Sequence, residues 1–383
     1  MKNIDETVAF IKGLFPDDSL IPLHEPRFDE SDKQALLDCV NTTFVSSVGE
    51  FVDRLEREIA DFCGVGHAIA VVNGTAALHT ALVVSGVGAE HEVITQALTF
   101  VATANAICYC GADPIFIDVD LDSMALDPIA LEKFLMTSTF QDKNGVCTNK
   151  LTGKKIKACI PMHTFGHVSK MDEIIQACHR RNITVIEDAA EALGSSLGAR
   201  KAGSIGDIGT FSFNGNKIIT CGGGGIITTN DPSIAKLAKH LTTTAKVPHK
   251  FDYFHDQIGF NYRLPNLNAS LACSQLAKID YFIEQKQKLA RKYEAFFAEQ
   301  GITSFKPREG IKSNYWLNAI ILESREDRDH FLKLTNEKGV MTRPIWKLMS
   351  ELPMFAKCQT DGLEQSRYLA DRVVNLPSSA PRL

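Results

Sequence analysis

The 383-residue chain has no Cys-x-x-Cys pair, no excess of basic residues and no apolar run of membrane-spanning length. Each absence excludes something. Its ten Cys, at positions 39, 63, 108, 110, 147, 159, 178, 221, 273 and 358, are scattered and several sit inside apolar runs. They read as reduced packing residues of a cytoplasmic protein, not as disulfides or a zinc site, and no metal is expected. With 41 Lys and Arg against 46 Asp and Glu, the net charge of −5 gives no footprint for nucleic acid or an anionic membrane. The stretch Met1 to Leu20 carries Asp5, Glu6, Asp17 and Asp18 around Val8-Ala-Phe-Ile-Lys-Gly-Leu-Phe15, which predicts a short amphipathic helix; the basic region and long apolar core of a signal peptide are missing. No G-x-G-x-x-G bridges the first strand and helix, which counts against a nicotinamide oxidoreductase.

What is present is an ordinary globular composition, 44% apolar and 23% charged, in a chain long enough for two domains. Residues 31–62 carry apolar positions at helical spacing and stop at Gly64. Strands and helices then alternate. His67 to Val72, Glu92 to Gln96, Pro114 to Val119, Ile156 to Met162 and Thr184 to Asp188 predict strands; Ala76 to Ser85, Phe100 to Cys110, a segment opened by Asp127-Pro128, and Met171 to Arg181 predict helices. Such βα repeats imply an α/β fold with a mostly parallel sheet between helices, over about residues 64–245. A polar loop, 242–263, leads to a helical stretch from about Leu264 to Gln300. Strand Tyr315 to Leu322, helix Glu326 to Lys338 and strand Val340 to Ile345 then predict a smaller α+β domain. The expected division is 1–245 and 246–383.

One Lys stands out. Lys217 lies between the β-prone Thr210-Phe-Ser-Phe213 and four consecutive glycines, Gly222 to Gly225. A Lys at a hairpin tip is usually a surface residue; a Lys in a desolvated site can instead condense with a carbonyl cofactor. Other segments favour the second reading. Asp188 closes an apolar strand at its carboxyl end, where sheets of this kind bind ligands, and could face a protonated pyridine nitrogen as readily as it could cap a helix. Asn73-Gly74-Thr75-Ala76 sits at a strand-to-helix junction whose free N–H groups can hold a phosphate, and Ser212 adds a hydroxyl. Phe100 could lie flat on a ring or simply be core. An amine, an acid, a phosphate cradle and a stacking face are the protein-side needs of pyridoxal 5′-phosphate.

These segments resemble the DegT/DnrJ/StrS sugar-nucleotide aminotransferases, of aspartate-aminotransferase fold type I. The matching pieces are Asn73-Gly-Thr-Ala-Ala-Leu-His79, Thr99-Phe-Val-Ala-Thr103, Ile186-Glu-Asp-Ala-Ala190, Phe211-Ser-Phe-Asn-Gly-Asn-Lys217 with the glycine run, and Gly259-Phe-Asn-Tyr-Arg263. The resemblance implies that Lys217 carries the cofactor and shuttles the proton, Asp188 partners the pyridine nitrogen, Phe100 stacks, and Gly74, Thr75, Ala76 and Ser212 hold the phosphate. Asn261 would reach the phosphate from a neighbouring subunit, so a homodimer with shared sites is expected. Many relatives have Gln where this chain has Glu191, beside the cofactor's phenolic oxygen. Lys217, in place of the His of the dehydrating branch, implies transamination, with L-glutamate as donor in a ping-pong cycle and a nucleotide-linked keto-sugar as acceptor.

Pro22-Leu-His-Glu-Pro-Arg-Phe28 and Thr43-Phe-Val-Ser-Ser-Val-Gly49, with Thr342-Arg-Pro-Ile-Trp346 and Asn375-Leu-Pro-Ser-Ser379, are similar to a narrower subgroup. That subgroup, linked to bacillosamine and legionaminic acid synthesis, aminates C4 of a UDP- or GDP-linked 2-acetamido-4-keto-6-deoxy hexose. The alternatives are another keto-sugar nucleotide, aminated at C3 or as GDP-4-keto-6-deoxymannose, and a non-catalytic sensor. His163 is expected to face the cofactor or sugar, and Arg263 and Arg343 are candidates for the substrate phosphates as well as for surface ion pairs. The chain ends soon after Ser379, which leaves room for a short further tail.

Overall fold

A computed structural model describes residues 4–16 and 18–382. The expected amphipathic helix is α1 (Ile4–Leu14), and its apolar positions Ile4, Val8 and Ile11 are buried; Met1 and Asp17 lie outside the described residues. The helical stretch 31–62 divides into α2 (Glu30–Asn41) and α3 (Glu50–Cys63). In α3 the buried residues Val52, Leu55, Ile59 and Cys63 recur at three and four positions, and Gly64 ends the helix at φ +73°.

The large sheet is built from β1 (His67–Val71), β2 (His91–Gln96), β3 (Asp113–Ile117), β4 (Lys155–Ile160), β5 (Thr184–Asp188), β6 (Ile208–Ser212) and β7 (Gly225–Thr229), in the order β1-β7-β6-β5-β4-β2-β3. Two short strands, Thr139–Gln141 and Cys147–Asn149, extend it beside β4. β6, β5, β4, β2 and β3 pair in parallel, whereas β7 runs antiparallel to both β6 and β1. Helices α4 (Gly74–Val84), α5 (Val101–Tyr109), α6 (Pro128–Ser138), α7 (Met171–His179) and α8 (Pro232–Thr242) supply the crossovers and cover. Strands covered on both faces favour apolar residues, as Val185 and Ile186 of β5 show, and the acids Glu187 and Asp188 that finish this strand are buried as well.

The stretch 264–300 is two helices, α9 (Asn266–Leu276) and α10 (Ile279–Glu299). Neither Gly nor Pro breaks it. α9 and the first turns of α10 join the large-sheet core through Ala269, Ala272, Cys273, Leu276, Ile279, Phe282 and Ile283, while Leu289, Tyr293 and Phe297 further along α10 join a separate C-terminal one. Lys278 pins the junction, its Nζ donating to Asp29 at 2.8 Å and Asp32 at 2.6 Å.

The C-terminal core is a four-stranded antiparallel sheet of β8 (Thr303–Ser304), β9 (Asn318–Ile321), β10 (Arg343–Pro344) and β11 (Val373–Leu376), in the order β8-β9-β11-β10. It is flanked by α10, α11 (Arg325–Glu337) and, from the far end of the chain, α1. β9 starts later than Tyr315 because Ser313 to Trp316 is held by the large domain; Asn314 N–H donates to Ser195 Oγ at 2.9 Å. Among the described residues no helix is long and apolar enough to cross a membrane.

Candidate active site

The carboxyl ends of the parallel strands and the start of the reversed strand β7 meet at one edge. Gly225 opposes both Val71 and Ser212 in the register, so the β1–α4 turn, the end of β6 and the glycine run are forced together. Only glycine permits this approach. A Cβ on Gly225 would lie 2.5 Å from the Asn73 carbonyl oxygen, and one on Gly74 2.8 Å from Ser212 Cβ. Asn73 caps α4, its Oδ1 accepting from the Ala76 N–H at 2.8 Å. The first-turn amides have no acceptor within the helix, and the helix dipole favours an anion there.

A cavity of about 340 Å³ opens at this edge, and Gly74, Thr75, Phe100, Asp188, Glu191, Ser212 and Lys217 all line it. Lys217 belongs to the β6–β7 connection, as a hairpin reading requires, but its side chain is only 13% exposed. The loop is anchored by fully buried Phe213, by Cys221 N–H donating to the Phe213 carbonyl at 3.2 Å, and by Asn268 Nδ2 of α9 donating to the Cys221 carbonyl at 2.7 Å. Lys217 Nζ lies 3.6 Å from Glu191 Oε1 and 4.1 Å from the centroid of a Trp316 ring.

Asp188, at the end of β5, is 4% exposed. Its Oδ2 accepts from Thr103 Oγ1 at 2.7 Å and its Oδ1 from the Ala190 N–H at 3.2 Å, so the carboxylate is fixed in one orientation. Burial pushes its pKa up, against the pull of those hydrogen bonds and of Lys217. Phe100, at the N-cap of α5, is 52% exposed and leaves a ring face open to the cavity.

Glu191 lines the same cavity beside Lys217. Its Oε2 accepts from the Phe165 N–H at 2.9 Å, and burial raises its pKa to about 7, against the field of Lys217. A carboxyl whose folded pKa stands above its unfolded one contributes no penalty below about pH 4.5 and a growing one as pH rises to 7. Glu191→Gln is therefore expected to gain stability relative to the parent protein between pH 4.5 and 8, by on the order of 3 kcal/mol. Thermal unfolding of the cofactor-free proteins at pH 5 and pH 8 checks it: an unchanged difference between the two pH values would refute the burial argument.

Several expected residues are not brought to the cavity. Ala76 is buried beneath it, with its N–H used by the Asn73 cap. His163, expected to face cofactor or sugar, is turned into the interior: Nε2 lies 2.9 Å from Glu187 Oε2 and Nδ1 3.0 Å from Ser169 Oγ. It follows β4 directly, and Glu187 draws its ring away from the mouth; the same carboxylate accepts N–H bonds from Gly203, Ile205 and Gly206. Asn261, expected to serve a neighbouring subunit's site and not this one, is exposed, its Oδ1 accepting from Arg263 Nε at 3.2 Å, in a segment bridged to Val71 and Thr243. Arg343 is exposed on β10 and donates to Asn336 Oδ1 and the Thr342 carbonyl. Conversely, Trp316, to which no sequence motif pointed, lines the cavity together with Trp346 of the Thr342-Arg-Pro-Ile-Trp346 segment. They are the two Trp of the chain, and that scarcity was the available signal.

A flat ring with a phosphate arm fits these residues: an oriented buried acid, a shielded amine, an open aromatic face and a glycine-lined helix N-terminus around one cavity. Fold and site together define a pyridoxal 5′-phosphate-dependent aminotransferase. The comparisons with known proteins agree. The DegT/DnrJ/EryC1/StrS aminotransferase family matches residues 26–381, and the chain belongs to that family. It is 37% identical to the GDP-perosamine synthase of Caulobacter vibrioides over 94% of this chain and 93% of that one, and 34% identical to the GDP-perosamine synthase of Escherichia coli O157:H7 with the same coverage. A DegT DnrJ EryC1 StrS aminotransferase from Brucella abortus superposes with a TM-score of 0.82 at 27% identity, covering 91% of this chain and 90% of that one.

Proposed function

We propose that the protein transfers the amino group of L-glutamate to C4 of a nucleotide-linked 4-keto-6-deoxy hexose. The observation that carries the reaction type is the convergence of Lys217, Asp188 and the Gly74–Ser212 cradle on one cavity. The names of the two relatives favour a GDP-linked sugar over the UDP-linked acetamido sugar that the N-terminal resemblance suggests. When bound, pyridoxal phosphate supplies a ring that withdraws electrons from the reacting carbon.

The chain's own residues divide the remaining work. Asp188, held by Thr103 and Ala190, keeps a negative charge at the ring-nitrogen end of the cavity. The α4 N-terminus, with Gly74, Thr75 and Ser212, binds the phosphate, and the Ala76 amide joins them if the Asn73 cap yields. Phe100 covers one ring face. Lys217 would hold the cofactor through its amine and, when that amine is free, would move the proton at the substrate carbon. Glu191, whose pKa of about 7 lets it exist with or without its proton near neutral pH, would donate to or accept from the cofactor's oxygen beside Lys217. Asn261 serves the site of a second copy in a homodimer, and Arg263, hydrogen-bonded to it, offers a cation to the substrate's diphosphate there.

The test offers GDP-linked and UDP-linked 4-keto-6-deoxy sugars in parallel, with glutamate, and follows 2-oxoglutarate. Turnover with the GDP-linked sugar at least about tenfold faster, in kcat/KM, is the expected result; equal or reversed preference refutes the nucleotide assignment, and no 2-oxoglutarate with either sugar refutes the 4-keto acceptor.

A further inference from the structure

Residues 21–27 form an extended strap between α1 and α2, and it is tied down along its length. Ile21 N–H donates to the Gly339 carbonyl at 2.9 Å, Ser378 N–H to the Leu23 carbonyl at 2.7 Å, Glu25 N–H to Ser379 Oγ at 3.0 Å, and Arg27 Nε to the Ala380 carbonyl at 2.7 Å. So pinned, the strap directs His24 inward, against the loop that carries Lys217. The His24 ring meets the backbone carbonyl of Asn216, the residue just before Lys217, while its Nδ1 is buried with no hydrogen-bond partner. The proton facing that carbonyl is therefore on Nε2.

The Asn216 carbonyl is held from a second side, where Trp316 Nε1 donates to it at 2.6 Å. The wall behind is also fixed: Lys286 of α10, fully buried, donates to the Trp316 carbonyl at 3.1 Å and to the Ser378 carbonyl. The ionisable groups whose fields lower the His24 pKa are basic: Lys286 from α10, itself lowered to about 7 by burial, Arg27 from the strap, which pairs with Glu25, and Lys217 from the loop. Burial and these charges hold the imidazole neutral, with its pKa well below the usual value. A buried, half-satisfied His is costly to keep in a purely structural place.

We propose that His24 is a positioning residue for Lys217: with the Trp316 indole it grips the Asn216 carbonyl and fixes the peptide from which the lysine side chain enters the cavity. The proposal rests on Lys217 being the residue that carries the cofactor. An amine displaced by about 1 Å loses on the order of 10²-fold in rate, so a loosened peptide acts on the lysine's chemistry without altering the substrate pocket.

The test mixes cofactor-free protein with pyridoxal 5′-phosphate and follows the rise in visible absorbance as the lysine captures it. Steady-state kcat and KM are measured on the loaded enzymes, and unfolding midpoints are recorded to show that each variant is folded. His24→Phe fills the space without an N–H donor, and His24→Leu does so with a smaller volume, so either folded variant can decide. Both are expected to slow capture about tenfold and to lower kcat by a similar factor with KM unchanged. His24→Gln, which returns a donor of similar reach, is expected to recover to within about threefold of the parent. Capture at the parent rate in the Phe or Leu variant, or a folded Gln variant as slow as they are, overturns the role of His24. Failure of the parent protein itself to capture the cofactor overturns instead the role of Lys217 on which the proposal rests.

Discussion

Lys217→Ala is expected to lose on the order of 10⁴-fold or more of the transamination rate while still binding the cofactor. The structure offers no deputy for the amine. Lys286, the other deeply buried Lys, spends its Nζ on the carbonyls of Trp316 and Ser378. His163 points away from the cavity toward Glu187. Glu191 lies beside the lost Nζ, but its Oε2 is engaged by the Phe165 N–H, and a carboxyl cannot form the covalent link an amine forms. The cradle at Gly74, Thr75 and Ser212 and the Asp188 carboxylate are untouched by the substitution, so binding without covalent attachment should persist. Borohydride treatment followed by peptide mass mapping separates the two effects: the parent protein carries the label on Lys217, and the variant retains the yellow ligand only until it is denatured. Full activity in the variant, or label on another residue of the parent, would remove the lysine from the mechanism.

The second large effect is expected at Asp188. Asp188→Asn keeps the size of the side chain and can keep both hydrogen bonds, since the amide oxygen accepts from Ala190 and the amide N–H donates to Thr103 once that hydroxyl turns toward Thr99, 2.9 Å away. What is lost is the charge. Opposite charges about 4 Å apart at an effective dielectric near 20 attract by about 4 kcal/mol, so after desolvation a loss of 10²- to 10³-fold in kcat is the scale to expect. Folding should respond in the other direction. Burial raises the Asp188 pKa, so ionising this carboxyl costs stability as pH rises above the ordinary carboxylate range. The cofactor-free Asn variant should accordingly unfold at a higher temperature than the parent at pH 7 and lose that advantage as pH falls toward 4. Activity lost with stability gained would mark a group kept for chemistry; a variant both inactive and less stable at pH 7 would place Asp188 among the structural residues.

Much of this site could be read from residue order alone because its pieces lie at strand ends. An apolar strand that finishes in an acid, as Thr184 to Asp188 does, or in an N-capping turn, as His67 to Asn73 does, announces both its own limit and the edge where ligands bind. Trp316 could not be read so, since nothing in its own stretch of chain distinguishes a Trp on a cavity wall from one in a core. His163 was misplaced for a related reason: its position after β4 is at the right edge, and only the partner Glu187, one residue from Asp188 and on the opposite side of the strand, turns its ring inward. β11 escaped notice because its short run, Val373 to Leu376, carries a polar Asn375 and reads as a strand only once β9 and β10 flank it.

The sequence by itself determined the α/β class, the ligand-binding edge and the amine–acid pair, because periodicity, capping and glycine placement are local properties of the chain. The tertiary structure decided which groups share the cavity, that Glu191 is desolvated to a pKa of about 7, and that a strap from the other end of the chain brings His24 to the lysine loop. These depend on contacts between segments that are not neighbours in the chain. Burial, unlike propensity, belongs to no single stretch of chain.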